Sequence, residues 1–387
     1  MQLLSLKFND PQAGWQLEEV EFFKDITLLV GLSGVGKTRI LDSIGQLQQI
    51  AQGKSDSGNW GRSWEICFKE SGDEYHWSGE FESRSNGNVQ GSYFGPLPGY
   101  AEEKRPKPKI LSEVLMKNEI EIARRTEGEI ILSDTPTPKL PQKESILHIL
   151  REEEHIADAS RGMEAILYVN HSNEPLTSLR YLFPLHDWEA IREKLKTLDL
   201  IRQEDIPTIL KLALAYEHCP DVFSGIISQF KEAFPYVEEA EFEFVDDGGP
   251  FDKAGRIVLR EVGVAKPIPE ESISSGMLRT LMHLSRMELW PDGTVVLIDE
   301  FENSFGINCI NFVTQNLVAH SNRLQFILTS HHPYIINNVD MKNWKIVSRK
   351  GSTVSVQGSS LLDGASSHET FLQLLNLPEY AEGIAVE

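Results

Sequence analysis

The chain begins with short apolar runs of strand type. Residues 3–8 and 17–23 mix apolar and polar positions, whereas Ile26 to Val30 is a continuous apolar run. A run of that kind predicts a strand buried on both faces of a sheet. Residues 39–50 follow with Ile40, Leu41, Ile44 and Leu47 at helical spacing, which predicts a helix with one buried face. Two strands are predicted within residues 63–81, joined near Ser71-Gly72-Asp73. A second hairpin is predicted from residues 119–124 and 129–132, turning at Thr126-Glu127-Gly128. Residues 51–61 and 83–99 are rich in Gly, Ser and Asn and read as loops, and the prolines of residues 134–141 mark a boundary.

A mostly helical stretch follows, with helices predicted at 205–216 and 221–234, then paired strands at 237–245 and 256–262. The last part alternates again: strands at 294–298 and 324–328 flank a helix at 310–319. Alternating strands and helices predict a mainly parallel sheet, shared by the two ends of the chain, with the middle inserted between them. The expected division is residues 1–142, 143–236 (mostly helical) and 237–387.

Composition narrows the functions. Against 37 Lys and Arg stand 58 Asp and Glu, a net charge of -21. That argues against a broad basic surface wrapped around nucleic acid, though not against a local basic groove. Residues 104–109, Lys-Arg-Pro-Lys-Pro-Lys, are the one obvious basic cluster. Cys67, Cys219 and Cys309 are far apart and in no metal-ligand spacing, as expected of a reducing compartment. No apolar run reaches membrane-spanning length, so a cytoplasmic protein without a membrane partner is expected.

The strongest chemical signal is Gly31-Leu32-Ser33-Gly34-Val35-Gly36-Lys37-Thr38, which fits the P-loop pattern between a strand and a helix. Gly31, Gly34 and Gly36 let backbone N–H groups turn toward phosphates, and the helix N-terminus adds positive potential. Lys37 is expected on the β- and γ-phosphates of ATP and Thr38 on Mg²⁺. Residues 294–300 form an apolar strand ending in Asp299 and Glu300. Asp299 is placed to hold the metal and Glu300 to polarise an attacking water. Ser330-His331-His332 follows the next strand, with His331 the first candidate to sense the γ-phosphate and His332 the weaker one. Residues 271–279 place Ser274 and Gly276 at a predicted helix start, a second anion-binding arrangement.

In this order the motifs resemble the ABC-class ATPase head, and within it the OLD-family and AAA15/AAA21-type ATPases, relatives of RecF, Rad50 and SMC heads. The residues that carry the resemblance are the P-loop, Ile273-Ser274-Ser275-Gly276-Met277 at the signature position, residues 298–304 as Walker B and D-loop, and Thr329-Ser330-His331-His332-Pro333. Residues 367–384 have the same flavour. The likeness covers residues 1–50 and about 270–387 well, and the middle loosely. It implies an α/β P-loop fold with an antiparallel β subdomain and a helical insertion. It also implies a homodimer, or a higher oligomer of dimers, in which Ser274 and Gly276 of one copy meet the γ-phosphate held by the other. Such heads place a glutamine on Mg²⁺ and the attacking water; Gln142 is the first candidate for both roles, with Gln90 the alternative. Ser33, Ser275, Met277 and Phe301 depart from the usual residues without removing a catalytic group.

Residues 332–387 are too few for a Toprim nuclease domain, and no coiled-coil arm is present. The expectation is an ATPase acting as sensor or regulatory subunit of a separately encoded effector, a toxin or nuclease, in anti-phage defence. The alternative is a RecF-like ATPase that binds DNA in repair or maintenance. A transporter subunit fits least, given the long insertion.

Overall fold

The computed structural model describes residues 1–84, 106–126, 128–169, 182–183, 185–245, 253–303, 305, 307–359 and 384–385. The chain opens with β1 (Gln2–Asp10), β2 (Trp15–Glu21), β3 (Ile26–Val30) and α1 (Lys37–Ala51). A meander follows: β4 (Ser63–Glu70), β5 (Asp73–Phe81), β6 (Ile110–Lys117), β7 (Ile120–Thr126), β8 (Glu129–Leu132) and β9 (Thr135–Pro136). Then come α2 (Ile146–Ile149), α3 (Glu154–Glu164), β10 (Ile166–Val169), β11 (Leu182–Phe183), α4 (Leu185–Lys194), α5 (Leu198–Gln203), α6 (Thr208–His218) and α7 (Pro220–Ala233). The last part holds β12 (Val237–Val245), β13 (Lys253–Glu261), β14 (Ile268–Pro269), α8 (Ser275–Leu289), β15 (Val295–Ile298), α9 (Ile307–His320), β16 (Gln325–Thr329), α10 (Pro333–Asn338), β17 (Trp344–Lys350), β18 (Thr353–Gly358) and β19 (Ile384–Ala385).

One large sheet runs β10-β15-β16-β3-β17-β18-β2-β1-β4-β5-β6-β7-β8-β9, with β19 also on β17. From β10 to β17 the pairings are parallel, and from β1 to β9 they are antiparallel. Both ends of the chain thus contribute to one sheet. β3, β15 and β16 are buried along their whole length, and their side chains alternate between two cores. Leu28, Val30, Val296, Ile298, Phe326 and Leu328 face the core built with α6 to α9. Leu29, Val295, Leu297 and Ile327 face the core built with α1, α3 and the antiparallel strands. A period of two with both faces covered is why these strands read as unbroken apolar runs.

The predicted 63–81 hairpin is β4–β5, turning through Ser71 (φ 52) and Gly72 (φ 90). A turn with positive φ at both central residues matches the right-handed twist of the strands it joins. The same device joins β6 to β7 at Asn118 and Glu119, at φ 50 and 67. There the sequence pattern predicts only one strand; β6 goes unpredicted because its Ser112, Glu113 and Lys117 break the apolar pattern. The helical middle is split in space. α2, α3 and β10 pack with α1 and β4, whereas Trp188, Ile201 and the apolar faces of α6 and α7 join the other core. A second, smaller sheet, β11-β13-β12 with β14 on β13, joins β11 of this middle part to the three strands that follow α7. No helix among the described residues is long and apolar enough to cross a membrane.

Candidate functional site

β3 ends in the core, and the loop from Gly31 to Gly36 carries the chain into α1. A Cβ on Gly31 would sit 2.5 Å from the Val347 carbonyl oxygen of β17, so only glycine lets these two backbones approach. Gly36 caps α1 at φ 114 in the left-handed region, and no side chain caps the helix there. The N–H groups of the first turn are therefore left for an anion. Lys37 is 5 % exposed, and its Nζ donates to the carbonyls of Gly31 (2.8 Å) and Leu32 (2.9 Å). Burial lowers its pKa to about 8, against the opposing pull of Asp299, Glu302 and Glu300.

β15 and β16 deliver the acids and the histidine to the same place. Thr38 Oγ1 donates to Asp299, 3.1 Å from Oδ1 and 3.0 Å from Oδ2, across 261 residues of sequence. Thr329 Oγ1 donates to Asp299 Oδ1 at 2.7 Å and accepts from the Glu300 N–H at 2.8 Å. This hydroxyl, at the end of β16, locks the turn after β15. Glu300 sits at φ 47, a conformation that costs a non-glycine residue energy and that the surrounding bonds hold. Its carboxylate accepts from Asn303 Nδ2, and the Asn303 N–H donates to the Glu300 carbonyl at 2.7 Å.

Lys37, Thr38, Asp299, Glu300 and His331 line one open cleft of about 310 Å³, with Ser33, Gly34 and Gly36 of the loop. The His331 N–H donates to Glu302 Oε1 at 2.7 Å. Partial desolvation, then the charge of Lys37, pushes the His331 pKa below its ordinary value, against three nearby carboxylates. A neutral ring with one donor N–H suits contact with a phosphate oxygen. His332 acts elsewhere, since its Nδ1 accepts the Tyr334 N–H at 3.2 Å and caps α10.

The donor set fits a small hard cation. A hydroxyl and a carboxylate, Thr38 and Asp299, converge on one point of the cleft. Among the described residues no group of three or more His, Cys, Asp or Glu could cage a metal unaided. A cation here would complete its shell with phosphate oxygens and water, the habit of Mg²⁺.

Ser274 and Gly276 do not reach this cleft within one chain. Ser274 is exposed and caps α8, accepting the Met277 N–H at 3.3 Å, and a Cβ on Gly276 would meet open space. Gln142 is not brought to the cleft either. It is exposed and lines a separate cavity with Glu82, Lys109 and Arg125, where its carbonyl accepts the Ile110 N–H at 2.9 Å. The physical reason is the strand order. The strand beside β15 is β10, with Val169 paired to Ile298, so it is β10, and not β9 with Gln142 after it, that ends beside Asp299. Gln90, Ser304, Lys104, Arg105 and residues 367–383 lie outside the described residues. Arg39 and Arg349 also line the cleft, and no sequence motif singles them out. The turn Gly351-Ser352 between two alternating runs is the available signal for β17, β18 and hence Arg349.

A family model described as "AAA domain, putative AbiEii toxin, Type IV TA system" matches residues 26–337. No curated protein matches the sequence. Solved structures similar to the chain include an SMC head bound to the C-terminal winged-helix domain of ScpA. It shares 14% identity over 92% of this chain and 98% of that one, with a TM-score of 0.48. Another is the SMC head domain from Thermotoga maritima, at 14% identity over 92% and 99%, with a TM-score of 0.45. A third is the Pyrococcus furiosus SMC head with an extended coiled coil bound to a ScpA domain, at 13% identity over 92% and 96%, with a TM-score of 0.44.

Proposed function

Because the chain belongs to this AAA-domain family, we propose that it is an ATPase of the ABC-like kind, hydrolysing ATP with Mg²⁺ at a site completed by a second copy. The observation that carries this reading is the meeting of Thr38 and Asp299 beside Lys37, with Glu300 and His331 in the same cleft. Lys37 exchanges its two carbonyl partners for β- and γ-phosphate oxygens, and the loop N–H groups of Gly34 and Gly36 bind alongside it. Thr38 and Asp299 hold the metal, which when bound supplies positive charge to the phosphates. Glu300 accepts a proton from the attacking water, after its carboxylate parts from Asn303. His331 donates to the γ-phosphate. Ser274 and Gly276 at the exposed start of α8 serve the partner's nucleotide, since neither reaches its own.

Size-exclusion chromatography with light scattering tests this. Glu300→Gln is expected to bind ATP, lose turnover and accumulate as a dimer only with ATP. Turnover equal to wild type would refute the assignment of Glu300.

We further propose that the ATPase regulates a separately encoded toxin or nuclease in anti-phage defence. The family's description, which names a toxin–antitoxin system, supports that setting. Co-purification with the product of the neighbouring gene tests it. A neighbour that is neither toxin nor nuclease, and that does not bind, would count against it.

A further inference from the structure

The order of strands gives the cleft two distinguishable ends. β15 and β16 lie on one side of β3 and carry Asp299, Glu300 and His331 at their ends; β17, β18 and β2 lie on the other. A nucleotide with its γ-phosphate at the first end must extend its nucleoside toward the second. Two arginines line the cleft there.

Arg39 belongs to the first turn of α1, directly after Thr38. Its guanidinium carbon is 5.7 Å from the ring centroid of Trp15, the first residue of β2. Trp15 is itself buried. The strand beneath it is fixed: the Gln16 N–H donates to the Ser352 carbonyl at 2.9 Å and Gln16 Nε2 donates to Thr353 Oγ1 at 2.7 Å. Arg349, on β17, is held to the same turn by its Nε, which donates to the Gly351 carbonyl at 2.8 Å. Arg39 Nη1 is shielded from solvent and has no hydrogen-bond partner among the described residues. A shielded donor without an acceptor is costly, which matches a site whose acceptor arrives with the ligand.

We infer that Arg39 and Arg349 form the nucleoside end of the site, with the Arg39 guanidinium, backed by Trp15, as the flat surface against which the purine and ribose lie. The inference rests on the ATP-binding reading above and adds what distinguishes a nucleotide from a bare polyphosphate. A guanidinium is planar, so beside an indole it can present a face to a base and its edge N–H groups to ribose or ring-nitrogen acceptors. Lysine at this position would keep the charge and lose the plane.

Calorimetric titration of the full chain with ATP, ADP and inorganic tripolyphosphate, each with Mg²⁺, tests this. Arg39→Ala is expected to weaken ATP and ADP each by about tenfold and to leave tripolyphosphate within about twofold. Arg39→Lys is expected to weaken ATP nearly as much, and it serves equally should Arg39→Ala fail to fold. Arg349→Ala is expected to weaken ATP more than tripolyphosphate. Equal losses for ATP and tripolyphosphate in Arg39→Ala, or full ATP affinity in Arg39→Lys, would overturn the inference while leaving the ATP-binding reading intact. A wild-type protein that binds neither ATP nor tripolyphosphate would overturn both.

Discussion

Replacing Glu113 should destabilise the protein severely without touching nucleotide affinity. Glu113 lies on β6 and is fully buried. Its Oε1 accepts from Trp77 Nε1 at 3.0 Å and from Ser145 Oγ at 2.5 Å, and its Oε2 accepts from the Ile146 N–H at 2.9 Å. Arg125, 3 % exposed, pairs with it at 3.4 Å and donates to the carbonyls of Pro141 (3.0 Å) and Glu144 (2.6 Å). Burial holds the Glu113 pKa above its ordinary value, against the opposing pull of Arg125 and three further donors. All four partners are donors, so the ionised carboxylate is the form the pocket matches. This cluster ties residues 141–146 to the antiparallel strands.

Glu113→Ala removes every acceptor and strands a buried arginine, which costs about 3–5 kcal/mol. Glu113→Gln keeps the shape but turns one amide N–H₂ toward donors, at a cost of about 1–3 kcal/mol. Against a total stability of about 5–15 kcal/mol, the first change removes a large share. Urea unfolding measures both, and adding Arg125→Met to Glu113→Gln should recover part of the loss, because the orphaned charge goes with it. A Glu113→Ala loss below about 1 kcal/mol would refute the reasoning.

Three further outcomes follow from the cleft. Gly31→Ala should destabilise the protein by about 1–3 kcal/mol and weaken ATP, because its Cβ meets a backbone carbonyl of β17 that no rotamer change can clear; unchanged unfolding and ATP titrations would refute this. Lys37→Ala should weaken ATP by at least about tenfold in the same titration, since a buried cation aimed at phosphates is removed; unchanged affinity would count against its role. Gln142→Ala should leave steady-state ATP turnover within about twofold, because Gln142 lines another cavity; a collapse of turnover would show that the chain rearranges to bring it in.

Much of the nucleotide cleft is legible in the sequence because its strands are short, wholly buried and end in chemistry. Ile26–Val30, Val295–Ile298 and Gln325–Thr329 each hand a reactive residue to the same C-terminal end of the parallel strands, so the apolar run and the polar residues after it can be read together. What stays hidden depends on pairing across sequence. β10 has four residues, and its place beside β15 is set by a parallel contact that no local pattern announces. That is why Gln142 looks well placed by order along the chain. β17 passes as an ordinary alternating segment, yet it neighbours β3 and carries Arg349 to the cleft. Arg39 escapes notice because its partner, Trp15, lies on a separate strand.

The central claim is a site shared between two copies, and mixing two inactive variants tests it most directly. Lys37→Ala disables the phosphate loop and Ser274→Arg blocks the exposed start of α8; each alone should hydrolyse ATP at background rate. In an equimolar mixture half the dimers pair one of each, and each such dimer holds one intact site of two, so turnover should recover to about a quarter of wild type. A mixture that stays at background, or a Ser274→Arg protein that turns over ATP like wild type, would contradict the account.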